Sequence, residues 1–140
     1  MGTTSVHGTV KDQDVTIQKL ADAVQDKLPY CAVTAGAEAA NVRRITVQVK
    51  DANGNDLAGR FRVRVWESDA EYGAPAAAGT WALVTGGGYD EESADCAYLY
   101  VSDATGKVEV DVTIVGAFTK YFMAEINGVI ASSGAVEWTA

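Results

Sequence analysis

Between Arg44 and Glu67 the chain reads RITVQVKDANGNDLAGRFRVRVWE, two strictly alternating apolar runs on either side of a turn rich in Asn and Gly. In the first run Ile45, Val47 and Val49 share one face and Thr46, Gln48 and Lys50 the other, the period of two of a half-buried antiparallel strand. Phe61, Val63 and Val65 alternate in the same way with Arg62, Arg64 and Trp66. The connection from Asp51 to Gly59 is built from residues that tolerate positive φ or bond their own backbone.

The same grammar returns further on. Val108, Val110, Val112 and Ile114 alternate with Glu109, Asp111 and Thr113 in a run from Lys107 to Val115, preceded by the turn signal Ser102-Asp103-Ala104-Thr105-Gly106. Phe122, Ala124 and Ile126 mark a strand over Lys120 to Asn127. Asn127-Gly128 is a hairpin signal, and a last run covers Val129 to Trp138. Weaker strands fall at Thr80 to Thr85 and Ala97 to Val101. About seven short strands with turn signals between them predict an all-β domain, an immunoglobulin-like antiparallel β-sandwich, with a barrel as the structural competitor. Alternation reports burial and leaves several Greek-key strand orders open.

The N-terminal segment has a different period. Ile17, Leu20, Ala21, Val24 and Leu28 fall on one stripe of a helix over about 15–28, which Pro29 ends. Asp14 or Thr16 can cap its start, and Lys27 suits its last turn. The expected organisation is an arm and linker over 1–37 and a sandwich over 38–140. So short a helix is marginal alone in water. Its stripe Ile17, Leu20, Val24 and Leu28 must dock, either on the chain's own sandwich or on a partner.

Three stretches carry a family resemblance. Ile45-Thr-Val-Gln-Val-Lys-Asp51-Ala-Asn-Gly54-Asn-Asp-Leu-Ala-Gly59 resembles the opening of bacterial Ig-like modules of the invasin and intimin type. Ser102-Asp-Ala-Thr-Gly106-Lys-Val-Glu-Val resembles their second turn and strand, and Tyr121-Phe-Met-Ala-Glu-Ile-Asn-Gly128 their penultimate strand. The lead-in Gly36-Ala-Glu38-Ala-Ala-Asn41-Val, the segment Arg64-Val-Trp66-Glu-Ser-Asp69 and the ending Val129-Ile-Ala-Ser-Ser-Gly134-Ala-Val are similar to small structural proteins of tailed bacteriophages. That resemblance implies a virion module, a head decoration or cement protein, with the major capsid protein as its partner.

Charge and motif chemistry narrow the function classes. A net charge of −8 opposes a nucleic-acid partner, since phosphate binding rests on clustered Lys and Arg. Arg43, Arg44, Arg62 and Arg64 are the one local basic concentration. They suit cross-strand pairing with Glu109, Asp111 or Glu125, or a capsid-facing patch. No apolar run approaches the roughly 18 residues a membrane helix requires, and the first residues lack the basic and apolar regions of a secretory signal. His7 is the single histidine and lies in the polar N-terminal tail, so a histidine-based triad or metal site has nothing to build on. Asp51, Asn53 and Asn55 imitate the start of a calcium loop. Asp56 stands where glycine is required and Arg62 where the bidentate glutamate belongs, so a backbone-bonded turn is expected. Cys31 and Cys96 are expected as free thiols, small and buried near strand starts.

Two loops, Ser68 to Gly79 and Gly86 to Asp95, have flexible compositions. Tyr72, Trp81 and Tyr89 are the aromatics there that suit an interface, with Trp81 equally suited to the core. The combined expectation is a non-enzymatic virion structural protein made in the bacterial host cytoplasm. It would use no cofactor or metal, contact its partner through Ile17, Leu20, Val24, Leu28, Tyr72 and Tyr89, and self-associate, with a trimer favoured. The alternatives are a tail or fibre module binding host-surface carbohydrate, and a cell-surface adhesin module.

Overall fold

Each alternating run forms a strand, and the apolar faces of the strands close on one another as two antiparallel sheets. A computed structural model describes residues 28–139. Among them lie nine strands: β1 (Tyr30–Ala35), β2 (Val42–Lys50), β3 (Arg62–Ser68), β4 (Thr80–Thr85), β5 (Gly87–Ser93), β6 (Ala97–Val101), β7 (Lys107–Thr113), β8 (Phe118–Ile126) and β9 (Val129–Trp138). One sheet has the order β1-β2-β7-β4 and the other β5-β6-β3-β8-β9. This is an immunoglobulin-like sandwich, with the hairpin-linked β8 and β9 packed beside β3. The helical arm expected over 15–28, with Ile17, Leu20 and Val24, lies outside the described residues except for Leu28 at its end.

The core is made by the period-two faces. Ile45, Val47 and Val49 of β2 and Val108, Val110 and Val112 of β7 meet Val63 and Val65 of β3, Tyr98 and Tyr100 of β6, and Phe122, Ala124 and Ile126 of β8, all buried. Each fully buried side chain of that size contributes about 1.5–3 kcal/mol of transfer free energy. Trp81 packs against this cluster, its ring 5.1 Å from Tyr98 and 6.0 Å from Phe122, so of its two expected roles it takes the core one.

Two strands exceed the expected seven. β1 pairs with β2 along its whole length, so Tyr30–Ala35, within the stretch read as arm and linker, is an edge strand. Gly36 to Asn41 is then a tight connection, closed by the Ala39 and Val42 amides and carbonyls, with Ala40 and Asn41 at positive φ. β5 runs through the segment read as a flexible loop. GGYDEES has no apolar face to reveal it and holds its place by backbone pairing to β6, with two register irregularities.

At one end of the sandwich two aspartates build matching turns. Asp51 Oδ1 accepts the amides of Asn53 (2.9 Å) and Asn55 (3.0 Å), so this loop is a backbone-bonded turn. Asp103 Oδ1 accepts the amides of Thr105 (2.8 Å) and Lys107 (3.1 Å) and the Thr105 hydroxyl (2.6 Å). The hydroxyl bond, then the Lys107 amide, hold the Asp103 carboxyl below its usual range. Its stabilising effect is therefore present above that range and lost as pH falls through the lowered folded value. The stability gap between wild type and Asp103→Ala is expected to close in acid, checked by urea titrations across pH. The turns interlock where Gly106, at φ +81, passes Leu57; a Cβ there would lie 2.0 Å from the Leu57 carbonyl oxygen. Gly106→Ala is expected to cost about 2–3 kcal/mol in urea unfolding.

Candidate functional site

The opposite end gathers the irregular connections: Gly36 to Asn41, the loop from Asp69 to Gly79, the turn before β6 and the corner between β7 and β8. Two features stand out there. One is a displayed loop, and the other is a charged cluster beneath it.

The loop after β3 folds back over the outer face of the five-stranded sheet. Trp66 points outward, as its alternation with Val65 requires, yet it is buried with Ala97 and Met123 and against Tyr121. The loop covers it. The indole Nε1 donates to the Gly73 carbonyl (3.0 Å), and Arg64 lies over the ring at 4.4 Å while pairing with Glu92 (2.6 Å). Ser132 of β9 donates to Glu71 (2.7 Å), the Ala76 amide donates to the Glu67 carbonyl (2.9 Å), and Gly73 closes on Ala70 (2.9 Å). So pinned, the loop turns Tyr72 outward at positive φ, 60% exposed. An exposed aromatic on a held backbone needs little ordering on contact, which favours binding.

Beneath the loop the inward face of the sheet carries charge. Val63, Val65 and Glu67 share one parity on β3, and Lys120, Phe122, Ala124 and Ile126 share it on β8. Glu67 is 0% exposed and Lys120 1%. Glu67 Oε1 accepts from Trp81 Nε1 (2.8 Å), while Oε2 faces Lys120 Nζ at 3.2 Å without a hydrogen bond of good geometry. Nζ also donates to Asp69 Oδ1 (2.6 Å) and the Ala76 carbonyl (2.8 Å). Burial pushes the Glu67 carboxyl above its usual range, against the pull of the Trp81 bond and the Lys120 charge.

The sequence-predicted contact residues do not form one cluster. Leu28 is half-buried just before β1, at the turn end, and Tyr72 stands on the pinned loop. Tyr89 lies on β5, paired with Tyr100, and Ile17, Leu20 and Val24 fall outside the described residues. Val115 and Phe118, which alternation did not single out, are exposed at the β7–β8 corner. Phe118 lines a shallow groove of about 400 Å³ with Ala117, Thr119, Glu137, Trp138 and Thr139. Of the basic group, Arg44 pairs cross-strand with Asp111 (2.5 Å), as expected, and Arg43 instead donates to the Glu137 carbonyl (2.9 and 2.6 Å). Cys31 and Cys96 are buried free thiols, and burial pushes Cys31 up to about 12. Among the described residues, no three His, Cys, Asp or Glu are grouped to hold a metal ion, and no helix is long and apolar enough to cross a membrane.

No family model matches the chain, and no curated protein matches it. Among solved structures it is similar to a conjugative transposon lipoprotein from Bacteroides eggerthii, at 15% identity over 79% of this chain and 92% of that one, with a TM-score of 0.36. It is also similar to the outer membrane decaheme cytochrome OmcA, at 10% identity over 81% of this chain and 23% of that one, with a TM-score of 0.32. At such scores neither likeness carries an argument about what this chain does.

Proposed function

We propose that this chain is a non-enzymatic structural module of a tailed-phage particle, a head decoration protein that binds the assembled shell through the loop end of its sandwich. The observation that carries this reading is the pinned loop: the six hydrogen bonds or ion pairs described above hold a backbone that presents the exposed ring of Tyr72. The resemblance to phage structural proteins supports it, since Arg64 to Asp69 is the strand and corner that carry this loop. Val115 and Phe118 add apolar surface at the same end. A surface of this modest size works by repetition, many weak contacts summing on a symmetric shell and stabilising it by mass action.

Purified virions should contain this chain in a simple ratio to the major capsid protein by quantitative mass spectrometry. A handful of copies per particle would place it in tail or fibre, and its absence would return the adhesin reading. Asn accepts the left-handed backbone of Tyr72. Tyr72→Asn should therefore keep the fold while weakening shell attachment about tenfold or more, the loss usual for a central aromatic anchor. Unchanged attachment would remove Tyr72 from the contact surface.

A further inference from the structure

The register that joins β3 to β8 pairs Glu67 with Phe122 and Ser68 with Tyr121, so the next step sets Asp69 opposite Lys120. Lys120 is thus a buried amine held between two carboxylates, with Nζ 2.6 Å from Asp69 Oδ1 and 3.2 Å from Glu67 Oε2. From this arrangement we propose that Lys120 and Asp69 join in an intramolecular isopeptide bond, with Glu67 carrying the protons.

The chemistry needs three things: a neutral amine, a protonated carboxyl as electrophile, and a group that moves protons without leaving. Burial disfavours the charged form of Glu67, so a proton moved from the Lys120 ammonium to Glu67 leaves no desolvated carboxylate there. Glu67 is fixed for that task because Trp81 holds Oε1 and leaves Oε2 facing Nζ. Glu67 passes the proton to Asp69, and the freed amine attacks Cγ of the resulting acid, forming the Nζ–Cγ bond. Glu67 then takes a second proton from nitrogen and delivers it to the departing oxygen, and the Cγ–O bond breaks to release water. Of the three ammonium protons one stays on the amide and two leave in the water. Glu67 ends as it began, and no outside reagent is consumed.

Position lowers the barrier. Oδ1 lies 2.6 Å from Nζ, so the carboxyl whose carbon must be reached is already in contact with the amine. Well-oriented intramolecular partners react with effective molarities of about 10⁵–10⁸ M, so holding the two groups together lowers the barrier to the bond. The Asp69 side chain is 76% exposed, so the released water has an open path out while the amine stays enclosed. The product would tie the root of the displayed loop covalently to β8.

The full chain, purified and denatured, should weigh one water less than its sequence, allowing for removal of Met1. Trypsin should then leave Lys120 uncut, yielding residues 65–107 joined to residues 108–140, with tandem spectra placing the link at Asp69 and Lys120. Asp69→Ala, a change at an exposed side chain, should restore the full mass and the cut after Lys120. Glu67→Gln should do the same, and a Glu67→Gln protein that still carries the link would overturn the role given to Glu67. A wild-type chain of full sequence mass, with a peptide ending at Lys120, would overturn the proposal outright. Water loss located elsewhere, such as a cyclised aspartate, would do so equally.

Discussion

Lys120→Met should destabilise the sandwich by about 3–5 kcal/mol at neutral pH, the usual cost of removing one partner of a buried ion pair. The residue is 1% exposed, and without it the fully buried Glu67 keeps the Trp81 donor but loses the one cation paired with it among the described residues. The comparison belongs in an Asp69→Ala background, where no covalent link can contribute. Its pH dependence is a second signature. The Glu67 carboxyl already sits above its usual range through burial, and loss of the Lys120 charge raises it further. A raised carboxyl gives stability that is fully present below its unfolded value and is lost as pH rises through its folded one. The Lys120→Met defect should therefore shrink in mild acid, where Glu67 takes up a proton. Glu67→Gln combined with Lys120→Met should recover most of the loss, because the amide oxygen still accepts from Trp81 while no charge stays buried. Urea titrations at two pH values decide the matter. A defect independent of pH would mean that the cost lies in packing rather than in the buried, unpaired charge.

That ion pair was legible in the chain, though only by parity. Val63, Val65 and Glu67 alternate without a break, and so do Lys120, Phe122, Ala124 and Ile126, so one acid and one base stand at inward positions of two strands. Alternation alone does not say that the strands are neighbours or that the two residues meet. That needs the register, which long-range pairing sets. The strong runs β2, β3, β7 and β8 announced themselves because apolar residues recur with period two along one face of each, and β9 because Asn127-Gly128 marks the turn before it. β5 was silent for the opposite reason: an edge strand of Gly, Asp and Glu pairs through its backbone and buries almost nothing. β1 was hidden because Cys31 and Val33 are its only buried positions, too few to show a period.

The loop end shows a second limit. Ser68 to Gly79 reads as flexible because Gly, Ala and Pro carry few side-chain contacts. What orders it comes from outside: the Trp66 indole, Ser132 of β9, and Lys120 of β8. Trp66 itself looked like a member of a solvent face, with Arg62 and Arg64. It is buried because a loop with no strong local preference returns across it, a tertiary event that period-two patterning does not encode.

Trp138→Ala should be as costly as loss of Lys120, about 3–5 kcal/mol, the range for emptying a buried aromatic site. Trp138 is 1% exposed, with its ring 5.9 Å from Phe122 and the Arg43 guanidinium 5.7 Å above it. It also fastens the two sheets together. Its Nε1 donates to the Asn41 carbonyl (2.9 Å) just ahead of β2, while Arg43 of β2 donates back to the carbonyl of Glu137 on β9. The cavity and the lost bond can be separated. The Asn41 carbonyl also accepts the Ile114 amide (3.0 Å), so Trp138→Phe leaves no orphaned acceptor there and should cost only about 1–1.5 kcal/mol beyond its small volume change. Urea midpoints at an unchanged m-value should place Trp138→Phe near wild type and Trp138→Ala far below it. Equal losses would assign the energy to the hydrogen bond, and two small ones would mean that the sandwich closes without the end of β9.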